Sequence, residues 1–156
     1  MRRLYMTLFL LGSLFAAGAA DAVVHAPSGS VVKVLPLLLD LKGRDAVSPS
    51  LFDRDAYQFY LREHTNEVST VRFDVLWSTA NTGKSELKLR LELRGLDTNG
   101  LPRLATLEQT VTPHFFRHWT SFKPNDDNKN FGDTTAWRAT LWAGGQMLGE
   151  QKSFLW

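Results

Sequence analysis

The sequence predicts an all-β fold, an antiparallel β-sandwich of about seven strands with one short inserted helix. Apolar and polar residues alternate along 70–77, with Leu76 as one exception, and again along 87–94, which is the period of half-buried strands. Clusters of Asn, Asp and Gly separate such segments at short intervals, as turns do. A third observation is that 45–69 is the one stretch with apolar side chains at helical spacing.

The first predicted strand covers 31–41, where β-branched and aliphatic residues run together. Pro36 interrupts this run and cannot donate a hydrogen bond to a neighbouring strand, so we expect an edge strand with a break. Residues 20–30, in front of it, are expected to form an exposed lead-in. The Lys-Gly-Arg sequence at 42–44 is expected to form a turn.

The predicted helix lies near 53–63, and the sequence Ser48-Pro49-Ser50 offers a start in front of it. Its apolar residues at helical spacing are Phe52, Ala56, Phe59 and Tyr60. The charged residues around them are Asp53, Arg54, Asp55, Arg62 and Glu63, which we expect to form a solvated face.

The remaining elements follow from alternation and from turn residues. Strands are expected at 70–77, 87–94, 103–112, 114–122, 135–143 and 146–156, with the last two joined at Gly144-Gly145. A polar loop rich in Asn and Asp is expected at 123–132.

The sequence Asp133-Thr134-Thr135-Ala136-Trp137-Arg138-Ala139 resembles the penultimate strand of immunoglobulin-like sandwiches. In those domains a turn Asp precedes an aromatic residue, and a small residue or cysteine follows two positions later. Here Trp137 stands in the place of the usual Tyr, and Ala139 in that of the cysteine. The resemblance covers 31–156 and implies an immunoglobulin-like β-sandwich domain. Because such sandwiches host many functions, it implies no particular activity.

The first residues predict a secretory signal peptide at 1–19. A basic start is followed by an apolar run at 4–15 and by small residues at 16–22. The apolar run is shorter than the roughly 20 residues needed to cross a bilayer. Cleavage would expose Ala20 or Val23 as the new N-terminus. We therefore expect a secreted or periplasmic protein of the bacterial cell envelope, with no stable membrane insertion after cleavage.

Charge and cysteine content exclude several classes of function. The chain has 18 Lys and Arg against 16 Asp and Glu, and loss of 1–19 would remove two arginines and leave no net charge. Nucleic-acid binding needs a surplus of cations, so no nucleic-acid partner is expected. Without cysteine there is no disulfide, thiolate metal site or thiol nucleophile.

Metal binding has only weak candidates. His114 and His118 would lie about 13 Å apart on a strand that rises about 3.3 Å per residue, which is too far to share an ion. The loop residues Asp126, Asp127 and Asn128 supply oxygen atoms that suit calcium. That loop lacks the Gly and Glu of a helix–loop–helix calcium site, so we favour an ordinary solvated loop. We expect neither a metal nor a cofactor.

The candidate contact site is on the last hairpin. A two-residue turn at Gly144-Gly145 would place Ala143 opposite Gln146, Trp142 opposite Met147 and Leu141 opposite Leu148. Trp142 and Met147 would then form an outward apolar pair. Arg138 and Thr140 share that face and would give it a polar rim.

These observations favour a non-catalytic binding or structural module of the cell envelope, whose partner is an unknown envelope protein or glycan. The first alternative is a carbohydrate-binding module that uses exposed tryptophans in a row or groove. The second is a small secreted hydrolase with a carboxylate site assembled by the fold. The sequence contains neither a nucleophile elbow nor a phosphate-binding glycine loop, the two motifs that would favour an enzyme.

Overall fold

The computed structural model describes residues 25–97, 99–113, 116–123 and 131–156. It is a sandwich of two antiparallel sheets, with seven strands and one α-helix in the described residues. The elements are β1 (Ser28–Asp40), α1 (Leu51–Glu63), a 3₁₀ turn (Thr65–Glu67), β2 (Val68–Ala80), β3 (Leu87–Asp97), β4 (Pro102–Val111), β5 (His118–Phe122), β6 (Phe131–Ala143) and β7 (Gln146–Lys152). The predicted fold class is confirmed, while the predicted signal peptide at 1–19 lies outside the described residues.

The three-stranded sheet has the order β1-β2-β5, and the four-stranded sheet has the order β4-β3-β6-β7. In the constant-type immunoglobulin arrangement the fourth strand lies beside the fifth. Here β4 pairs with β3 along its whole length, from Leu87 opposite Val111 to Leu96 opposite Pro102. The four-stranded sheet is therefore built around β3 and β6, and β4 and β7 are its edges.

The core lies between the sheets and is built from alternate residues of the central strands. On β3, the leucines at 87, 89, 91 and 93 are all buried, as their alternation predicts. They face Phe73, Val75 and Trp77 of β2, which have no exposed surface. The indole Nε1 of Trp77 donates to the Thr120 hydroxyl at 2.8 Å, so the one polar atom of this large side chain is satisfied inside the core.

Strand β1 differs from its prediction in two respects. It begins at Ser28, so the last part of the expected lead-in is strand, and it continues through Pro36 without a break. Pro36 is tolerated because β1 is an edge strand. The N–H of Leu38, two residues after Pro36, points away from β2 and donates to the Gln58 side chain. The nitrogen of Pro36 lies at the same alternate position, where no hydrogen bond to β2 is lost.

The beginning of β1 approaches β7 closely, and two glycines make this possible. A methyl group on Gly149 would lie 2.8 Å from Cα of Ser30, and one on Gly29 would lie 3.0 Å from a methyl carbon of Leu141. We call this contact between Ser28–Val31 and β7 the closed seam. It joins the edges of the two sheets at one end of the sandwich.

Helix α1 begins at Leu51, two residues before its predicted start, and Ser50 is its N-cap. The Ser50 hydroxyl accepts a hydrogen bond from the Asp53 N–H at 3.4 Å. The helix buries Leu61 and Gln58, while its apolar stripe faces outward. In the described part of the chain, no helix has the length and hydropathy required to cross a membrane.

Candidate binding surfaces

The predicted hairpin register is correct near the turn and wrong beyond it. Trp142 lies opposite Met147, and the neighbouring pair, Ala143 and Gln146, is also as predicted. A bulge then places Leu141 opposite Gly149 rather than Leu148. The extra residue lets Leu148 pack against the core and puts a glycine where β7 approaches Ser30.

Thr140 is not part of a polar rim, because its side chain is fully buried, with 0% exposure. Its hydroxyl accepts a hydrogen bond from the indole Nε1 of Trp142 at 2.9 Å. The guanidinium carbon of Arg90 lies 5.6 Å from the centre of the Trp142 ring. Trp142 is therefore half-buried against its own sheet, with its polar atom already engaged.

Arg138 is also engaged within the molecule. Its Nε lies 2.7 Å from a carboxylate oxygen of Glu150 and 3.6 Å from one of Glu92. Its guanidinium carbon is 6.0 Å from the centre of the Trp156 ring, which Arg94 approaches to 4.0 Å. Ion pairs and cation–π contacts thus engage both Arg138 and Trp142 within the molecule. Of the four predicted contact residues, only Met147 is exposed, at 45%.

The weak metal-ligand candidates Asp126, Asp127 and Asn128 lie outside the described residues, as does His114. His118 lies on β5 and meets the Trp77 ring edge-on, with 5.9 Å between the ring centres. Within the described ranges, no group of three or more His, Asp or Glu side chains is placed to hold a metal ion.

The carboxylate of Asp40 has its acceptor positions filled by the fold. It accepts hydrogen bonds from the backbone N–H groups of Arg44 and Lys42, from the Arg44 Nε and from the Tyr57 hydroxyl, all at 2.8 Å. The Arg44 N–H, followed by the Tyr57 hydroxyl and the Arg44 side chain, holds the pKa of Asp40 well below its usual range. The same contact with Asp40 raises the pKa of Tyr57. The cluster ties the turn after β1 to α1.

Helix α1 carries several exposed large apolar side chains. Phe52 is 81% exposed and Phe59 is 63% exposed, and Ala56 between them is also exposed. Their spacing of four and three residues puts them on one side of the helix. We call Phe52, Ala56 and Phe59 the α1 face. Its spacing was visible in the sequence, but the sequence did not show that this side points away from the sandwich.

A cleft opens between the sheets where α1 crosses the second half of β1. Its volume is about 440 Å³. One wall comes from β1 and β2, the opposite wall from β6 and the residue after β7, and the rim from α1. The lining residues are Pro36, Leu38, Gln58, Arg62, Val71, Phe73, Thr134, Thr135, Trp137 and Ser153. We call this the β1–β6 cleft, and nothing in the sequence pattern predicted it.

A second groove, of about 490 Å³, lies between the edge strands β4 and β5. It is lined by Leu107, Phe122, Ser121 and their neighbours, and it includes the carboxylate of Glu108. That carboxylate is bonded to the Arg90 Nε at 2.6 Å. The groove is therefore a polar surface between two strand edges, and the acidic group among its described lining residues, Glu108, is already paired with Arg90.

No family model matches the chain, and no curated protein or solved structure is significantly similar to it.

Proposed function

We propose that this chain is an exported, non-catalytic binding module of the bacterial cell envelope, and that its α1 face contacts a protein partner. The basic, apolar and small-residue segments at 1–22 support export. The observation that carries the binding role is the exposure of Phe52 and Phe59 on the outward side of an inserted helix.

The α1 face has the composition of the centre of a protein interface. Aromatic residues are enriched in such centres, and each one buries a large apolar area when it is covered. Asp55, Arg62 and Glu63 flank the stripe and give it a mixed polar rim. Isolated exposed apolar side chains are ordinary on a protein surface, but two phenylalanines on one helical stripe form a patch that a partner would bury.

The two alternatives have weaker support. A carbohydrate-binding module needs exposed tryptophans in a row or groove, yet Trp77 is buried and Trp137, Trp142 and Trp156 are half-buried. Trp119, at 45% exposure, lies on β5 of the three-stranded sheet, whereas Trp137 and Trp142 lie on β6 of the four-stranded sheet. A hydrolase needs free acid and base groups at a cavity. Among the described residues, no carboxylate lines the β1–β6 cleft, and that of Glu108 is paired.

Site-specific photo-crosslinking in a bacterium that produces the protein tests the proposal. A photoreactive phenylalanine analogue at position 59 should give one discrete protein adduct in the envelope fraction. The matched control places the same analogue at Thr110, an exposed position on β4, and should not give that adduct. Phe52→Ser should reduce the adduct from position 59 by about tenfold or more, because it removes half of the aromatic surface.

Two results would contradict the proposal. The first is the same set of adducts from positions 59 and 110. The second is retention of full-length protein in the cytoplasm, since export predicts a mature species that begins at Ala20 or Val23. The intact mass of the fractionated protein separates these N-termini from the uncleaved chain.

A further inference from the structure

The β1–β6 cleft exposes apolar surface that belongs to the inner faces of both sheets. Leu38 and Val71 lie opposite each other in the three-stranded sheet, and Trp137 lies on the core side of the other sheet. All three are only half-buried, whereas Phe73, also lining the cleft, is fully buried. The cleft is therefore an unfilled continuation of the core, and its volume of about 440 Å³ lies in the range of small-molecule pockets.

Most polar groups along the cleft are already bonded within the fold. The Gln58 side-chain amide bonds to the backbone of Leu38 and Asp45, each at 2.8 or 2.9 Å. The Thr135 hydroxyl donates to the Arg94 carbonyl, and the Ser153 hydroxyl accepts from the Trp137 N–H. These groups stabilise the walls, and the lining of the cleft is more apolar than polar.

Arg62 is different. It lies exposed on the last turn of α1 at the rim of the cleft, and it forms no ion pair within the described residues. None of the described lining residues is acidic. A guanidinium beside an apolar cavity without carboxylates favours a ligand with a negatively charged group at one end, because it donates paired hydrogen bonds to a carboxylate.

The geometry points to a binding site for a small amphiphile with one carboxylate and one unbranched apolar tail. The carboxylate pairs with Arg62 at the rim, and the tail lies between Leu38, Val71 and Trp137. Burial of the tail removes apolar surface of both molecules from water. Arg62 borders both surfaces, but this inference does not depend on the α1 face, since the cleft and its class of ligand are different.

Isothermal titration of the exported protein with dodecanoate, below the concentration at which it forms micelles, tests the site. We expect one molecule bound per chain. Dodecan-1-ol, which has the same tail and no charge, should bind about tenfold or more weakly, as loss of a charge-assisted contact predicts. Arg62→Gln should weaken dodecanoate binding by a similar factor and leave dodecan-1-ol binding unchanged.

Two further variants separate the site from non-specific binding. Lys84→Gln removes one exposed positive charge from a turn outside the cleft and should leave dodecanoate binding unchanged. Val71→Trp should fill the cleft and abolish binding of both ligands. If Val71→Trp fails to fold, Arg62→Gln still decides, because Arg62 is exposed. Absence of dodecanoate binding, or equal dodecanoate binding by Arg62→Gln and the parent, would overturn the proposal.

Discussion

The two halves of strand β1 protect the same sheet edge in different ways. Its first half, Ser28–Val31, is covered by backbone contact with β7 at Gly149. Its second half is covered by side chains, because Gln58 accepts from the Leu38 N–H and donates to the Leu38 carbonyl, both at 2.8 Å. An unpaired strand edge is a site for unwanted association, and each arrangement occupies part of it. The first depends on close packing, and the second depends on polar contacts.

This difference has a geometric consequence. Direct contact between β1 and β7 leaves no space between the sheets at the closed seam. Along the second half of β1, the Gln58 side chain takes the place of a neighbouring strand and holds α1 beside the sheet edge. The β1–β6 cleft remains open next to this contact. The two halves should therefore respond differently to added volume and to acid.

Of the substitutions that test the two halves of β1, Gly149→Ala should cause the largest loss in the free energy of unfolding. The added methyl group would lie 2.8 Å from the Ser30 Cα, so the backbone of one strand must move. We expect a loss of about 1–3 kcal/mol in the free energy of unfolding, the usual cost of overpacking. The measurement is urea denaturation. Gly145→Ala is the control, since its methyl group meets nothing within 4 Å. If both variants unfold at the same urea concentration, the closed seam is not closely packed.

Acid should weaken the second half of β1 before the first. Because folding holds the pKa of Asp40 below its ordinary value, ionised Asp40 stabilises the fold above about pH 4. That contribution is lost as the pH falls below this value. Between pH 5 and pH 3 (roughly the window set by the ordinary Asp pKa), Asp40→Asn should lose less stability than the parent does.

The same urea titration at several pH values measures this difference. Asp55→Asn is the control, because the Asp55 side chain is exposed on α1. It should follow the parent curve. A parallel loss of stability in the parent and in Asp40→Asn would mean that the Asp40 cluster does not couple the turn to α1.

Gln58→Ala should give the smallest of these effects. It removes the partner of the Leu38 N–H and of the Leu38 and Asp45 carbonyls. Truncation of Gln58, which lines the β1–β6 cleft, should let water from the cleft reach these groups, so we expect a cost of only about 1 kcal/mol. The sharper measurement is hydrogen exchange at the Leu38 amide, which should become faster while the amide of Leu89 in the core keeps its protection. Gln109→Ala, on the exposed part of β4, is the matched control. Unchanged exchange at Leu38 would show that Gln58 does not protect the edge.

Local patterns predicted the approximate positions of the strands, but not how the strands are ordered in the two sheets. The alternation along β3 correctly assigns each of its leucines to the core, because a strand with one buried face must place every second residue there. The cap at Ser50 and the pairing of Trp142 with Met147 were also visible locally. Each of these features depends on residues close together in the chain.

Exposure at the candidate surfaces depends mainly on contacts with other elements of the fold, and most of these contacts were not predicted. Thr140 is buried because Trp142 folds back onto it and Arg90 of the next strand lies over that ring. The stripe on α1 faces outward because Gln58, a polar residue, is bonded to β1 on the inward side. The β1–β6 cleft exists because β1 approaches β7 at only one of its ends. None of these contacts has a signature in residue spacing.

The closed seam also concerns how the chain reaches its native state. Gly29 and Gly149 meet although they lie far apart in the sequence, so their contact requires the closure of a long loop. The strand pairs β3–β4 and β6–β7 connect nearer residues and involve less loss of chain entropy. We therefore expect the seam to form late in folding, with the transition state largely lacking it. Substitutions there should then mainly speed unfolding and leave the folding rate almost unchanged.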